Sequence, residues 1–139
     1  MKAGDEFGPS RWVDVGPERV DGFVAVTDDA EWIQANRRRV AAGRDGAAIV
    51  PGFLTLSLLA GLWFEVTEAE GHPVTLNYGL NRVRFPAPLP VGGRLRASFR
   101  VDELTPAADG EQALITATVE GEGLDRPVCV AELVFRFLA

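Results

Sequence analysis

Gly52-Phe53-Leu54-Thr55-Leu56-Ser57-Leu58-Leu59-Ala60-Gly61-Leu62-Trp63-Phe64-Glu65-Val66 decides the fold. Its apolar residues fall on nearly every side of a 3.6-residue repeat instead of along one stripe, the pattern of a helix enclosed within protein. Thr55, Ser57 and Gly61 interrupt the stretch, which argues against a membrane span. A helix of this kind needs a sheet around it.

The second half of the chain supplies the sheet. Tyr78 to Phe85, Arg94 to Leu104, Gln112 to Glu120 and Pro127 to Phe137 read as strands, separated by turn signals at Pro86-Ala87-Pro88, Ala108-Asp109-Gly110 and Gly121-Glu122-Gly123. Leu95, Ala97, Phe99 and Val101 alternate with Arg94, Arg96, Ser98 and Arg100. In the last run Cys129, Ala131, Leu133, Phe135 and Phe137 form the apolar face. Upstream, Arg11 to Val15 alternates as a strand, and Pro17-Glu18 opens a short helix with Val20, Phe23 and Val24 on one side. A second helix is expected from about Ala30 towards Ala42. An enclosed helix and a one-sided antiparallel sheet make an α+β layer architecture.

Composition sets the outer bounds. The 139 residues suit a single domain, 1–139, and 47% hydrophobic with 24% charged residues suits a globular chain with a sizeable core. A net charge of -6 argues against nucleic-acid binding. The start, Met-Lys-Ala-Gly-Asp-Glu-Phe, has no apolar signal region, so a cytoplasmic protein without membrane attachment is expected. Cys129 is alone and sits in an alternating run, as a buried, inert thiol would. Neither a metal nor a cofactor is expected.

Four segments carry a family resemblance. Thr27-Asp28-Asp29-Ala30-Glu31-Trp32-Ile33-Gln34 and Ile49-Val50-Pro51-Gly52-Phe53-Leu54-Thr55-Leu56-Ser57-Leu58-Leu59 come first. Asn77 to Pro88 with Pro90-Val91-Gly92 follows, and Arg126-Pro127-Val128-Cys129-Val130-Ala131-Glu132 closes the chain. Together they resemble the MaoC-like, or (R)-specific enoyl-CoA hydratase, branch of the hot-dog fold, whose pattern is Gly-Asp-x-Asn/Gln-x-Ile/Leu-His followed by Ala-His-Gly. Asp29 stands at the Asp position, Gln34 at the His position and Pro51 at the second His. The resemblance implies one long central helix wrapped by a curved antiparallel sheet of about five strands. It also implies a small-molecule acyl substrate carried on coenzyme A or an acyl carrier protein, and a homodimer with its active site near the interface.

The replacement at Gln34 bears on the chemistry. Adding water to an enoyl thioester, or removing it, needs groups that exchange protons near neutral pH; imidazole does so and a Gln amide does not. Asp29 is left as the candidate base. Read locally, Asp28-x-x-Glu31 is a capping box, with Asp28 the N-cap and Asp29 a first-turn carboxylate. Gly52 lets a substrate approach the backbone at the helix entrance, where N–H groups can polarise a carbonyl, and Pro51 suits the first helical turn. Ser57 matches a polar position near the family's active site, or donates one turn back to a carbonyl. Asn36 joins Gln34 as a hydrogen-bonding amide. Phe53 is a further substrate-side candidate, although with Trp32 and Trp63 it reads more simply as core. Arg84 is the candidate for a phosphate or carboxylate contact, whereas Arg37-Arg38-Arg39 reads as a solvated face and His72 as an exposed loop residue. Three functions remain open: an enzyme reassigned to isomerisation, elimination or cyclisation; a weak enoyl-CoA hydratase or dehydratase; and a non-catalytic acyl-thioester-binding protein or structural subunit of a heterodimer.

Overall fold

The computed structural model describes residues 1–41, 48–67 and 74–138. Two short strands, β1 (Glu6–Phe7) and β2 (Val13–Asp14), lead into helices α1 (Pro17–Thr27) and α2 (Ala30–Ala41). The central helix follows as α3 (Gly52–Ser57) and α4 (Leu59–Thr67), and then β3 (Val74–Arg84), β4 (Arg94–Ala107), β5 (Gly110–Gly121) and β6 (Cys129–Leu138). All pairings are antiparallel, in the order β1-β4-β5-β6-β3 with β2 also on β4, so four long and two short strands form the sheet. His72 lies outside the described residues.

The alternation read in the sequence is the alternation of the fold. Leu95, Ala97, Phe99 and Val101 of β4 turn inward, as do Cys129, Ala131, Leu133, Phe135 and Phe137 of β6, and all are buried. The Trp63 ring sits among Phe7, Phe99, Phe135 and Phe137 at centroid distances of 5.5, 5.3, 5.7 and 6.4 Å, pinning α4 to the sheet. Outside, the Arg96 guanidinium lies 4.4 Å over Trp12 and pairs with Glu120. The β4–β5 hairpin needs Gly110: its φ is +155°, and a Cβ there would fall 1.9 Å from the Phe137 carbonyl oxygen. Burial pushes the Cys129 thiol up to about 11, in keeping with an inert core thiol.

Two expectations change. The central helix is divided at Leu58, which keeps right-handed dihedrals (φ -72°, ψ -18°) and passes the hydrogen-bond ladder on, since its N–H donates to Leu54 and its carbonyl accepts from Leu62. Nor is that helix enclosed on every side. Leu54, Thr55, Leu59, Leu62, Trp63 and Thr67 are buried, but Phe53 is 69% exposed and Ser57, Gly61 and Phe64 lie open along the same side. The all-round apolar pattern reflects a second surface that a single chain leaves uncovered.

Candidate active site

The site is built where α1, α2 and the entrance of α3 meet. Asp28 ends α1 in the left-handed region (φ 55°), which a short polar side chain tolerates. That turn makes Asp29 the cap of α2: its Oδ1 accepts the Trp32 N–H at 3.0 Å. The capping box expected from Asp28 and Glu31 is therefore corrected. Asp28 closes the earlier helix and Asp29 opens the later one, because the left-handed turn at Asp28 moves the start of α2 one residue on. The other Asp29 carboxylate oxygen has no hydrogen-bond partner among the described residues.

Asp29 lines an open cleft of about 560 Å³ together with Phe23, Trp32, Gly52, Phe53 and Phe85. Pro51 also lines it and caps α3 from just outside (φ -58°, ψ 133°), one position before the first turn expected for it. The Pro51 carbonyl accepts from Leu54 and Thr55, so the N–H groups of Gly52 and Phe53 ahead of them have no intrahelical acceptor. Glycine at 52 lets the Phe85 ring pack against the helix entrance, since the ring carbons lie 3.0 Å from where a Cβ would stand. The reading of Phe53 as core fails, since it is the most exposed aromatic side chain of the cleft wall.

The remaining candidates separate. Ser57 lines a second cavity, of about 240 Å³, between the central helix and the sheet, with Leu56, Ala60, Asn77, Leu80 and Phe135. Its hydroxyl donates to the Phe53 carbonyl at 2.6 Å, the local bond expected of a helical serine. Gln34 is exposed on α2 and lies outside the residues that line the Asp29 cleft. Asn36 is buried, with its amide used at both ends: Nδ2 donates to the Trp32 carbonyl and Oδ1 accepts the Ile49 N–H, each at 3.1 Å. Arg84 pairs across the ladder with Val130, while Val83 pairs with inward-facing Ala131. Cross-strand partners share a face, so Arg84 lies on the outer face of the sheet, where its Nη1 donates to the Val83 carbonyl at 2.7 Å.

The structure thus gathers Asp29, Gly52 and Phe53 and leaves Gln34, Asn36 and Arg84 out of the cleft. Sequence reasoning missed Phe85 and the role of Trp32 as cleft wall. The signal for Phe85 was its place before Pro86, at the end of a strand whose preceding residue Arg84 faces outward; the next side chain had to turn in.

Residues 1–122 match the MaoC like domain family. The chain is 43% identical over 138 residues to 3-hydroxyacyl-thioester dehydratase Z of Mycobacterium tuberculosis, covering 99% of this chain and 91% of that protein. The fold superposes on the (R)-hydratase from A. caviae involved in PHA biosynthesis with a TM-score of 0.76 at 20% identity, covering 99% and 97% of the two chains. It superposes likewise on a chain of the HadBC (3R-hydroxyacyl-ACP dehydratase) complex of M. tuberculosis, with a TM-score of 0.77 at 14% identity over 97% and 96%.

Proposed function

We propose that this chain, which belongs to the MaoC-like domain family and has its hot-dog fold, acts on acyl thioesters in the cleft between Asp29 and Gly52. The observation that carries the reading is the carboxylate of Asp29. One oxygen is fixed by the Trp32 N–H, the other is without a partner among the described residues, and Asp29 belongs to the wall of a cleft that also holds the α3 entrance. A carboxylate held by one oxygen is oriented, and its second oxygen is available to a substrate proton. The Gly52 and Phe53 N–H groups, free of intrahelical acceptors, are the donors proposed for a thioester carbonyl that gains charge. The cavity beside Ser57 and Ala60, lined by Leu56, Leu80 and Phe135, has the apolar character an acyl chain requires.

With Gln34 in place of an imidazole, Asp29 is the one proton-exchanging group of the pair. The chemistry this supports is proton removal next to the thioester carbonyl, followed by elimination, isomerisation or cyclisation. Two copies are proposed to pair through the uncovered side of the central helix and the β3 edge, where Leu76, Tyr78 and Leu80 are exposed. Arg84, outside the cleft on the outer face of the sheet, is the proposed contact for CoA or carrier-protein phosphates. A cytoplasmic location is part of this proposal; no helix among the described residues is long and apolar enough to cross a membrane. The second reading, a structural subunit whose partner carries the full dyad, is favoured by the exposure of Gln34 away from the cleft.

The test is Asp29→Asn, assayed on a panel of 3-hydroxyacyl and enoyl thioesters on CoA and on carrier protein. Turnover should fall by roughly 100- to 10,000-fold with the fold retained, and crotonyl-CoA hydration by the unaltered protein should be weak or absent. Full activity in Asp29→Asn removes the assigned role. No turnover by the unaltered protein, together with tight association with a dyad-bearing homologue, establishes the structural-subunit reading.

A further inference from the structure

The cleft has two walls that come from separate parts of the chain. Asp29 and Trp32 stand on α2, and Pro51 and Gly52 stand on the segment that launches α3. That segment is held on one side by backbone: Val50 donates to Leu89, Val91 donates to Ala48, and Ile49 bridges Pro90. In an antiparallel bridge of this kind residues 48 and 50 face the neighbouring strand, so the N–H of Ile49 points the other way, where no strand of the described residues lies. Asn36 meets it. Its Oδ1 accepts the Ile49 N–H at 3.1 Å, and its Nδ2 returns to the Trp32 carbonyl at 3.1 Å.

We propose that Asn36 is the positioning residue of the site, an amide latch that sets the distance between the Asp29 carboxylate and the α3 entrance. It rests on the reading that Asp29 and Gly52 serve one reaction. The connection is continuous: Asp29 Oδ1 takes the N–H of Trp32, the carbonyl of Trp32 takes the amide of Asn36, and the amide oxygen takes the N–H two residues before Pro51. Asn36 is 8% exposed, so water does not readily replace either bond. It lies on the same side of α2 as Trp32, one turn on, and Gln34 points elsewhere. The two amides at positions 34 and 36 thus differ in kind: one is a solvent-facing side chain, and the other joins the two walls. The acceptor end is the necessary one, because the Trp32 carbonyl already has a helical partner in the backbone N–H of residue 36, whereas the side chain is the one acceptor of the Ile49 N–H among the described residues.

The inference is tested with Asn36→Ala and Asn36→Asp in the full-length chain, by acyl-thioester turnover and by amide hydrogen exchange in labelled protein. Asn36→Ala should lower kcat per folded molecule by roughly 10- to 100-fold while KM changes by less than about threefold, since the walls shift and the binding surfaces remain. Exchange at Ile49 and Val50, whose amides are hydrogen-bonded in the segment that launches α3, should accelerate by at least about tenfold, with the β4 and β5 amides unchanged. Asn36→Asp keeps the acceptor for the Ile49 N–H but sets a carboxylate oxygen against the Trp32 carbonyl in place of the amide donor, so kcat should fall while exchange at Ile49 stays slower than in Asn36→Ala. Equal kcat in Asn36→Ala, or equal exchange at Ile49 and Val50, overturns the latch, as does exchange at Ile49 as fast in folded Asn36→Asp as in Asn36→Ala. If the unaltered protein turns over none of the thioesters, the functional reading fails by itself and the exchange measurement alone decides whether the latch exists.

Discussion

β4 and β3 belong to one sheet and have comparable lengths, 14 and 11 residues, yet they are built for different surroundings. β4 has partners along both edges, and its inward residues from Leu95 to Val101 are 0–2% exposed. β3 has one partner, β6, with register shifts at Asn77/Gly79 and at Leu80/Arg82, and leaves Leu76, Tyr78 and Leu80 open. The contrast teaches where stability and function divide. The side held by β4, β5 and Trp63 is complete in one chain; the side formed by β3 and the exposed stripe of the central helix keeps an uncovered apolar surface, and the cavity beside Ser57 lies there.

Three substitutions break or sharpen that contrast. Trp63→Ala removes the ring that four Phe side chains surround and should cost about 3–5 kcal/mol in urea unfolding. Leu80→Glu, on the open strand, should change the stability of the isolated chain by no more than about 0.5 kcal/mol. Sedimentation should nevertheless show weaker self-association, since a charge on an edge opposes pairing. If Leu80→Glu unfolds the chain as Trp63→Ala does, the two sides are not separate in the way described. Gly52→Ala sits at the border of the two regions. Its methyl would press on the half-exposed Phe85 ring, which can give way, so the expected cost is about 1 kcal/mol, read as a small fall in Tm.

The completed side was legible in the sequence because its physics is local. Alternation from Leu95 to Val101 and from Cys129 to Phe137 follows from the two-residue period of a strand, and Asp109-Gly110 can only be a turn. The open side was harder to read. An apolar Phe53 or Phe64 looks the same in sequence whether its own chain or a second one covers it, so the helix was expected to be enclosed when one side is bare. At the site, Asp29 and Gly52 were legible through the motif. The capping pattern was displaced by one residue because the sequence does not reveal that Asp28 takes φ 55°. Asn36 was read as a substrate donor since its partner, the Ile49 N–H, lies 13 positions away and is turned outward by a bridge to Pro90 that no local pattern announces.

The left-handed residue between α1 and α2 has a mechanical consequence. With Asp28 closing one helix and Asp29 opening the next, no linker separates them, so a change of about 10° in the dihedral angles there would carry the far end of the 12-residue α2, about 18 Å away, by about 3 Å. The hydrogen bond from the Ile49 N–H to Asn36 opposes that swing halfway along the arm. Asp29 stands at the fulcrum, so the angle of the arm and the aim of its carboxylate are set by the same two residues.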